Sequence, residues 1–154
     1  MSDRTCGSCN LCCKVVAAHE IAKPAGTWCP HARPGAGCAI YGAHPQACRK
    51  FNCAWLEIPE LDDAWKPEAC GFVIYSEDEG RGPCTDAARP DAWRAAPFHE
   101  ALKAWAFDRL RRGGHAVVYV EDKVIALFPE EELDLCGHTG AYRRSGGRRP
   151  QCRI

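Results

Sequence analysis

The chain has 154 residues, with 20 basic and 20 acidic side chains, 12 cysteines and a formal net charge of zero. That length fits one domain, or one domain carrying a small extra lobe. A balanced charge excludes polyanion binding by bulk charge, and the longest apolar run, Ala116 to Val120, is far too short for a membrane-spanning helix.

The opening residues, Met1-Ser2-Asp3-Arg4-Thr5, contain no apolar stretch of the kind a secretory signal needs. The expected location is therefore the cytoplasm, where thiols stay reduced and serve metals or redox chemistry more readily than structural cross-links. Residues 1–56 hold eight of the cysteines. The first four form the run Cys6-Gly-Ser-Cys9-Asn-Leu-Cys12-Cys13, and Cys29, Cys38, Cys48 and Cys53 follow. A C-x2-C step lets two thiolates converge on one cation while the intervening backbone N–H groups turn toward the sulfurs. Eight thiols in so short a stretch suit two metal centres, since four saturate a tetrahedral ion. A disulfide framework is the alternative for an even cysteine count. Adjacent Cys12 and Cys13 are expected to point apart, which makes them poor partners for each other and places them in neighbouring centres.

The rest of this first segment shows little periodicity. Val15 to Ala18 fits a short strand or half a helix, and His44 to Phe51 fits one or two helical turns with Pro45 in the first. So little apolar surface predicts that bound metal supplies much of the folding free energy, on the order of 10 kcal/mol for a structural zinc site. Its charge is +4, from Arg4, Lys14, Lys23, Arg33, Arg49 and Lys50 against Asp3 and Glu20. Such a surplus offsets a thiolate–metal cluster and equally suits an acidic partner.

Residues 57–142 carry a net −9 and read as conventional. Gly71 to Tyr75 predicts a strand ended by the turn-rich Glu77-Asp78-Glu79-Gly80-Arg81-Gly82. Pro97 opens a helix to about Arg112, with Phe98, Leu102, Trp105, Ala106 and Leu110 at helical spacing and Gly113-Gly114 as the stop. Ala116–Val120, the turn Glu121-Asp122-Lys123 and Val124–Phe128 predict a β-hairpin. Strand, helix and hairpin give an α+β fold: a small antiparallel sheet covered by a helix, with an irregular cysteine-rich metal-organised N-terminal lobe. Its Trp and Phe residues are expected in the core. Glu130-Glu131-Glu132 reads as a solvated charge run. Residues 143–154 contribute five arginines and form a basic tail expected to be disordered.

The spacings Cys6-x2-Cys9-x2-Cys12-Cys13, Cys38-Ala39-Ile40-Tyr41 and Pro45-x2-Cys48-x2-Phe51-x-Cys53-x-Trp55 together resemble the CxxCxxCC family of zinc- or iron-chelating domains. The resemblance covers about the first third of the chain, including every family cysteine, and implies metal chelation. It departs from the family at His44-Pro45, where many members have Arg-Pro, and this adds an imidazole beside the cluster. A related cysteine pattern resembles the one attached to flagellin lysine methylases, but no methyltransferase domain is visible here.

The expected metal ligands are Cys6, Cys9, Cys12, Cys13, Cys29, Cys38, Cys48 and Cys53. Thiolate sets suit zinc, with iron or an iron–sulfur cluster as the alternative. The spacing of Cys6, Cys9 and Cys12 opens like a bacterial ferredoxin run, but Cys13 follows at once where three residues should intervene. His31, two residues after Cys29, is a further candidate ligand whose simpler reading is solvent exposure. Cys70, Cys84, Cys136 and Cys152 stand singly and read as inert thiols. His138, two residues after Cys136, completes a C-x-H of a kind that is common by chance. His19, His99 and His115 read as surface or helix-end residues without companions. No catalytic triad, phosphate loop or paired carboxylate is recognisable. The expected partner is a protein of unknown identity, with nucleic acid bound only weakly and non-specifically and no membrane association. Three roles stay open: a metal-organised binding module, a metal carrier or sensor, and a metal-dependent enzyme.

Overall fold

The structure, a computed structural model, describes residues 4–77 and 80–135. The basic stretch 143–154, Cys136, His138 and Cys152 lie outside the described residues. Its main sheet has five strands in the order β3 (Phe72–Glu77), β4 (Gly80–Thr85), β5 (Val117–Val120), β6 (Lys123–Leu127) and β7 (Glu132–Asp134). All neighbours are antiparallel except β4 and β5, which run parallel and meet at Cys84 and Tyr119. A smaller sheet near the N-terminus pairs β1 (Ala32–Arg33) with β2 (Gly37–Cys38). Four single-turn helices, α1 (Cys12–Val15), α2 (Gln46–Lys50), α3 (Ala54–Glu57) and α4 (Pro67–Cys70), precede the long α5 (Phe98–Arg111). The fold is α+β, as the alternation of strand, helix and hairpin implies.

Helix α5 forms where the apolar spacing puts it, with Leu102 and Ala106 buried against Val118 and Leu127 of the sheet. Pro97 is its N-cap, and the β5–β6 hairpin turns through Glu121, whose φ of 53° is left-handed. Trp65, Phe72, Phe98 and Trp105 close one end of the core, with Trp65 and Phe98 rings 4.8 Å apart and edge-on. Phe72 is a core residue as expected and Trp65, Phe98 and Trp105 pack half-buried against the core, but Phe107 on the outer face of α5 is 50% exposed, against the expectation.

Two strands contradict the sequence reading. The stretch from Gly80 is not a turn but β4, because β3 on one side and β5 on the other supply its backbone partners despite its Gly and Pro content. Glu132 does not belong to a solvated run. It starts β7, and its carboxylate bonds Arg94 Nη1 and His99 Nε2 at 2.5 Å each, fixing the edge of the sheet to α5 and the turn before it.

A further correction concerns what the N-terminal segment buries. Val15, Val16, Ala17 and Ala18 are 1–4% exposed, and Val15, Val16, Cys53, Ala54 and Trp55 join the same apolar cluster as Phe72 and Leu127. The segment therefore packs onto the sheet's core rather than standing without apolar support. Arg4 fixes it from the other side. Its guanidinium donates to the carbonyls of Trp55 (2.8 Å), Ile58 (3.1 Å), Pro59 and Leu61, in α3 and the turn that follows it. Lys14 adds a 2.7 Å ion pair to Asp86, just past β4. Replacing Arg4 by alanine strands several carbonyls at once and is expected to cost about 2–3 kcal/mol, on the scale of lost hydrogen bonds to a charged group. Arg112→Ala removes only an exposed contact with Asp108 and should cost less than about 0.5 kcal/mol. Denaturant unfolding of the two variants checks the difference.

Candidate metal centre

The turns around the cysteines are set by local chemistry. The Cys9 N–H bonds the Cys6 carbonyl at 2.9 Å, closing the first C-x2-C step into a turn, and α1 starts at Cys12. Asn10, only 6% exposed, spends both amide hydrogens on the carbonyls of Arg33 (2.8 Å) and Gly37 (3.0 Å), which docks the β1–β2 hairpin against that turn. Gly37 lies so close that a Cβ would sit 2.9 Å from the Gly7 carbonyl, and its φ is +89°; only glycine fits there. The Cys29 N–H bonds the Cys13 carbonyl at 2.9 Å, and Cys38 lies opposite Ala32 across the hairpin. Glu20 accepts from the N–H groups of Gln46 and Ala47, the first donors of α2, and so anchors the helix that carries Cys48. Cys53 is the N-cap of α3 and is buried.

These contacts bring all eight predicted ligands, Cys6, Cys9, Cys12, Cys13, Cys29, Cys38, Cys48 and Cys53, to the wall of one cavity of about 120 Å³. A single water needs about 10–15 Å³ on the same measure, so the cavity has room for more than one ion. His31 and His44 line it as well, so His31 is not the exposed residue that was expected. His44 Nδ1 accepts from the Gly42 N–H at 3.0 Å, which puts the proton of the neutral ring on Nε2, and the ring stacks on Tyr41 at 5.1 Å. Ile21, Ile40, Phe51, Trp55 and Leu56 complete a largely apolar lining that sequence spacing did not identify. Among the described residues, no three His, Cys, Asp or Glu side chains stand in an arrangement that could hold a metal ion.

The sulfurs differ in character. Burial pushes the thiols of Cys6, Cys9, Cys48 and Cys53 up; neighbouring thiols add to the rise at Cys6, Cys48 and Cys53, and the Glu68 carboxylate adds to it at Cys9. For Cys53 those neighbours are Cys6 and Cys9, and for Cys48 they are Cys13, Cys29 and Cys38. Cys12 and Cys13 do not point apart as expected. Both lie in the single turn of α1, and the Cys12 thiol donates to the Cys13 sulfur. That bond lowers Cys13 to about 7 and, with burial, raises Cys12 well above its usual value. Lys23 also favours the Cys13 thiolate. This lysine is 5% exposed, and its ammonium donates to the carbonyls of Lys14 (2.8 Å) and Val16. Burial lowers its pKa while Cys13, Cys29, Cys12 and Cys48 hold it up.

Of the remaining candidates, Cys70 is the inert thiol the sequence suggested. It is 2% exposed, bonded to the Phe72 carbonyl at 3.2 Å and pushed up to about 11 by burial. Cys84 is a position on β4. His19 and His115 are exposed, but His99 has a companion in Glu132. Comparison with family models, with curated proteins and with solved structures returns no match to this chain.

Because alkylation needs the thiolate, metal-free protein at pH 7.5 should react with iodoacetamide first at Cys13, and last at Cys12 and Cys70. Lowering the pH below about 7 protonates Cys13, so its rate should drop toward tenfold per further unit. Peptide mapping of the alkylated sites checks both the order and the pH at which it is lost.

Proposed function

We propose that this protein binds metal through Cys6, Cys9, Cys12, Cys13, Cys29, Cys38, Cys48 and Cys53, with zinc as the first choice and iron or an iron–sulfur cluster as the alternative. The observation that carries the reading is the convergence of those eight thiols, from five separate stretches of backbone, on one cavity, while Cys70 is buried away from it. A disulfide framework has less support, because the eight clustered cysteines and Cys70 are unpaired, two of them in one helical turn. Soft thiolates with two imidazoles nearby are a donor set that fits zinc or iron and suits neither magnesium nor calcium. The ligands must give up their protons on binding. A bound ion would supply a cross-link between the Cys6–Cys13 turn, the hairpin, α2 and α3.

The sequence resemblance to CxxCxxCC chelating domains supports the same reading. With all eight cavity thiols candidate ligands, metal-organised partner binding or metal handling fits better than catalysis. We place the protein in the cytoplasm, where its thiols would stay reduced. No helix among the described residues is long and apolar enough to cross a membrane.

Protein purified without oxygen is expected to carry about two equivalents of metal, since four thiolates saturate one tetrahedral ion. Elemental analysis gives the metal and the visible spectrum separates colourless zinc from coloured iron–sulfur. Metal content near zero with the thiols already oxidised would restore the disulfide reading.

Cys9→Ser and Cys48→Ser should each lower that content and loosen residues 6–53, while the β3–β7 core stays folded because Val15, Val16 and Trp55 remain packed on it. Cys70→Ser should leave the metal untouched and cost about 1–2 kcal/mol. Hydrogen exchange resolved along the chain distinguishes local loosening from global unfolding.

A further inference from the structure

The backbone contacts that build the cavity do not bring its cysteines together evenly. Arg4 donates to the Trp55 carbonyl at 2.8 Å, tying the chain just before Cys6 to α3, whose N-cap is Cys53. The Cys6–Cys9 turn and the start of α1 add Cys9 and Cys12. On the other side, the Cys29 N–H to Cys13 carbonyl bond joins those two residues. The turn in which the Ala32 N–H bonds the Cys29 carbonyl leads into the hairpin, where Cys38 faces Ala32, and Asn10 docks that hairpin against the Cys6–Cys9 turn, so Cys38 stands between the two groups. Glu20, two residues before the Ala22–Lys23 bend, holds the N-terminus of α2 and hence Cys48 over the same area.

We propose that the eight thiols form two separate tetrathiolate sets, Cys6, Cys9, Cys12 and Cys53 in one and Cys13, Cys29, Cys38 and Cys48 in the other, each binding one soft divalent cation. The division rests on the metal-binding reading above and goes beyond it by assigning every ligand. It agrees with the electrostatic neighbours of the two outlying cysteines, Cys6 and Cys9 for Cys53, and Cys13, Cys29 and Cys38 for Cys48, while Cys6 also has Cys13 as a neighbour across the boundary. It also explains the vicinal pair. Cys12 and Cys13 sit at the boundary, and one helical turn presents one sulfur to each set. Binding gathers four sulfurs on each side and replaces the Cys12–Cys13 hydrogen bond.

The sets differ in their support. Cys53 belongs to α3, whose Ala54 and Trp55 are buried in the main core. Cys48 belongs to α2, which buries no residue, and Cys38 to a hairpin of two-residue strands. The second set also has the Lys23 ammonium beside it, which offsets part of the −2 charge that four thiolates and a divalent ion carry. With less packing to keep its ligands in place, the second set is the one that loses its ion first.

Cadmium ions are a direct probe, because their NMR resonance reports the number of coordinating sulfurs. The full chain loaded anaerobically with cadmium-113 should show two resonances in the four-sulfur range, without cadmium–cadmium coupling. Cys48→His keeps a donor in place and should shift one resonance toward the three-sulfur, one-nitrogen range while leaving the other unmoved. Cys53→His should shift the second. A substoichiometric chelator should remove first the signal that Cys48→His moves. If Cys48→His expresses poorly, Cys29→His tests the same set. Cadmium–cadmium coupling, or one variant shifting both signals, would show a shared cluster and overturn the division. Both variants shifting the same signal would show that the thiols divide differently. No bound cadmium on a chain whose thiols titrate as reduced would instead remove the metal-binding reading beneath it.

Discussion

An ammonium group taken out of water costs several kcal/mol unless the protein replaces its hydration. Lys23 is 5% exposed and meets that cost with the carbonyls of Lys14 and Val16, and with the sulfurs of Cys13, Cys29, Cys12 and Cys48 around it. The N-terminal third is organised around this arrangement. Its helices are single turns and its strands are two residues long, so regular hydrogen bonding leaves many backbone groups without partners. Lys23, Arg4, Asn10 and Glu20 supply partners from side chains, and each draws a cysteine-bearing segment toward the cavity. The isolated bridge between Ala18 and Lys23 holds the lysine in register for this role.

This scaffold makes the cavity partly independent of any occupant. Val15 to Ala18 and Trp55 attach it to the sheet, and polar side chains fix its turns. Burial raises the thiols of Cys6, Cys9, Cys48 and Cys53 on its walls, and the bond to Cys13 together with burial raises Cys12, whereas Cys13 is lowered to about 7. On the proposed reading such a site would bind by exchanging protons for a cation and drawing its ligands inward, with the binding free energy going to local ordering rather than to folding the whole chain. That behaviour fits a protein that takes up and gives up metal, or that stiffens one surface when loaded.

Much of this was legible in the sequence because the signals were local. The cysteine spacings located the cavity's thiols, the helical spacing from Phe98 to Leu110 located α5, and the apolar runs Ala116–Val120 and Val124–Phe128 about the turn Glu121-Asp122-Lys123 located the hairpin. What escaped depended on distant partners. Strand β4 contains Gly80, Gly82 and Pro83 and is a strand only because β3 and β5 flank it. Glu132 looked like one of three equivalent glutamates until Arg94 and His99 were beside it. The Cys12–Cys13 contact reversed an argument from neighbouring side-chain directions, since a helical turn with a donor and an acceptor sulfur holds them together. Lys23 had no sequence signal beyond its charge, and its burial follows from tertiary packing alone.

The central claim is that the clustered thiols, and not the scattered ones, hold the metal. Differential alkylation with peptide mapping addresses it most directly, comparing the protein as isolated under anaerobic conditions with the same protein after a strong chelator. The account predicts that Cys6, Cys9, Cys12, Cys13, Cys29, Cys38, Cys48 and Cys53 are protected as isolated, that Cys13 leads their alkylation after chelation, and that Cys70 is slow in both states. Identical labelling of the eight before and after chelation would contradict it.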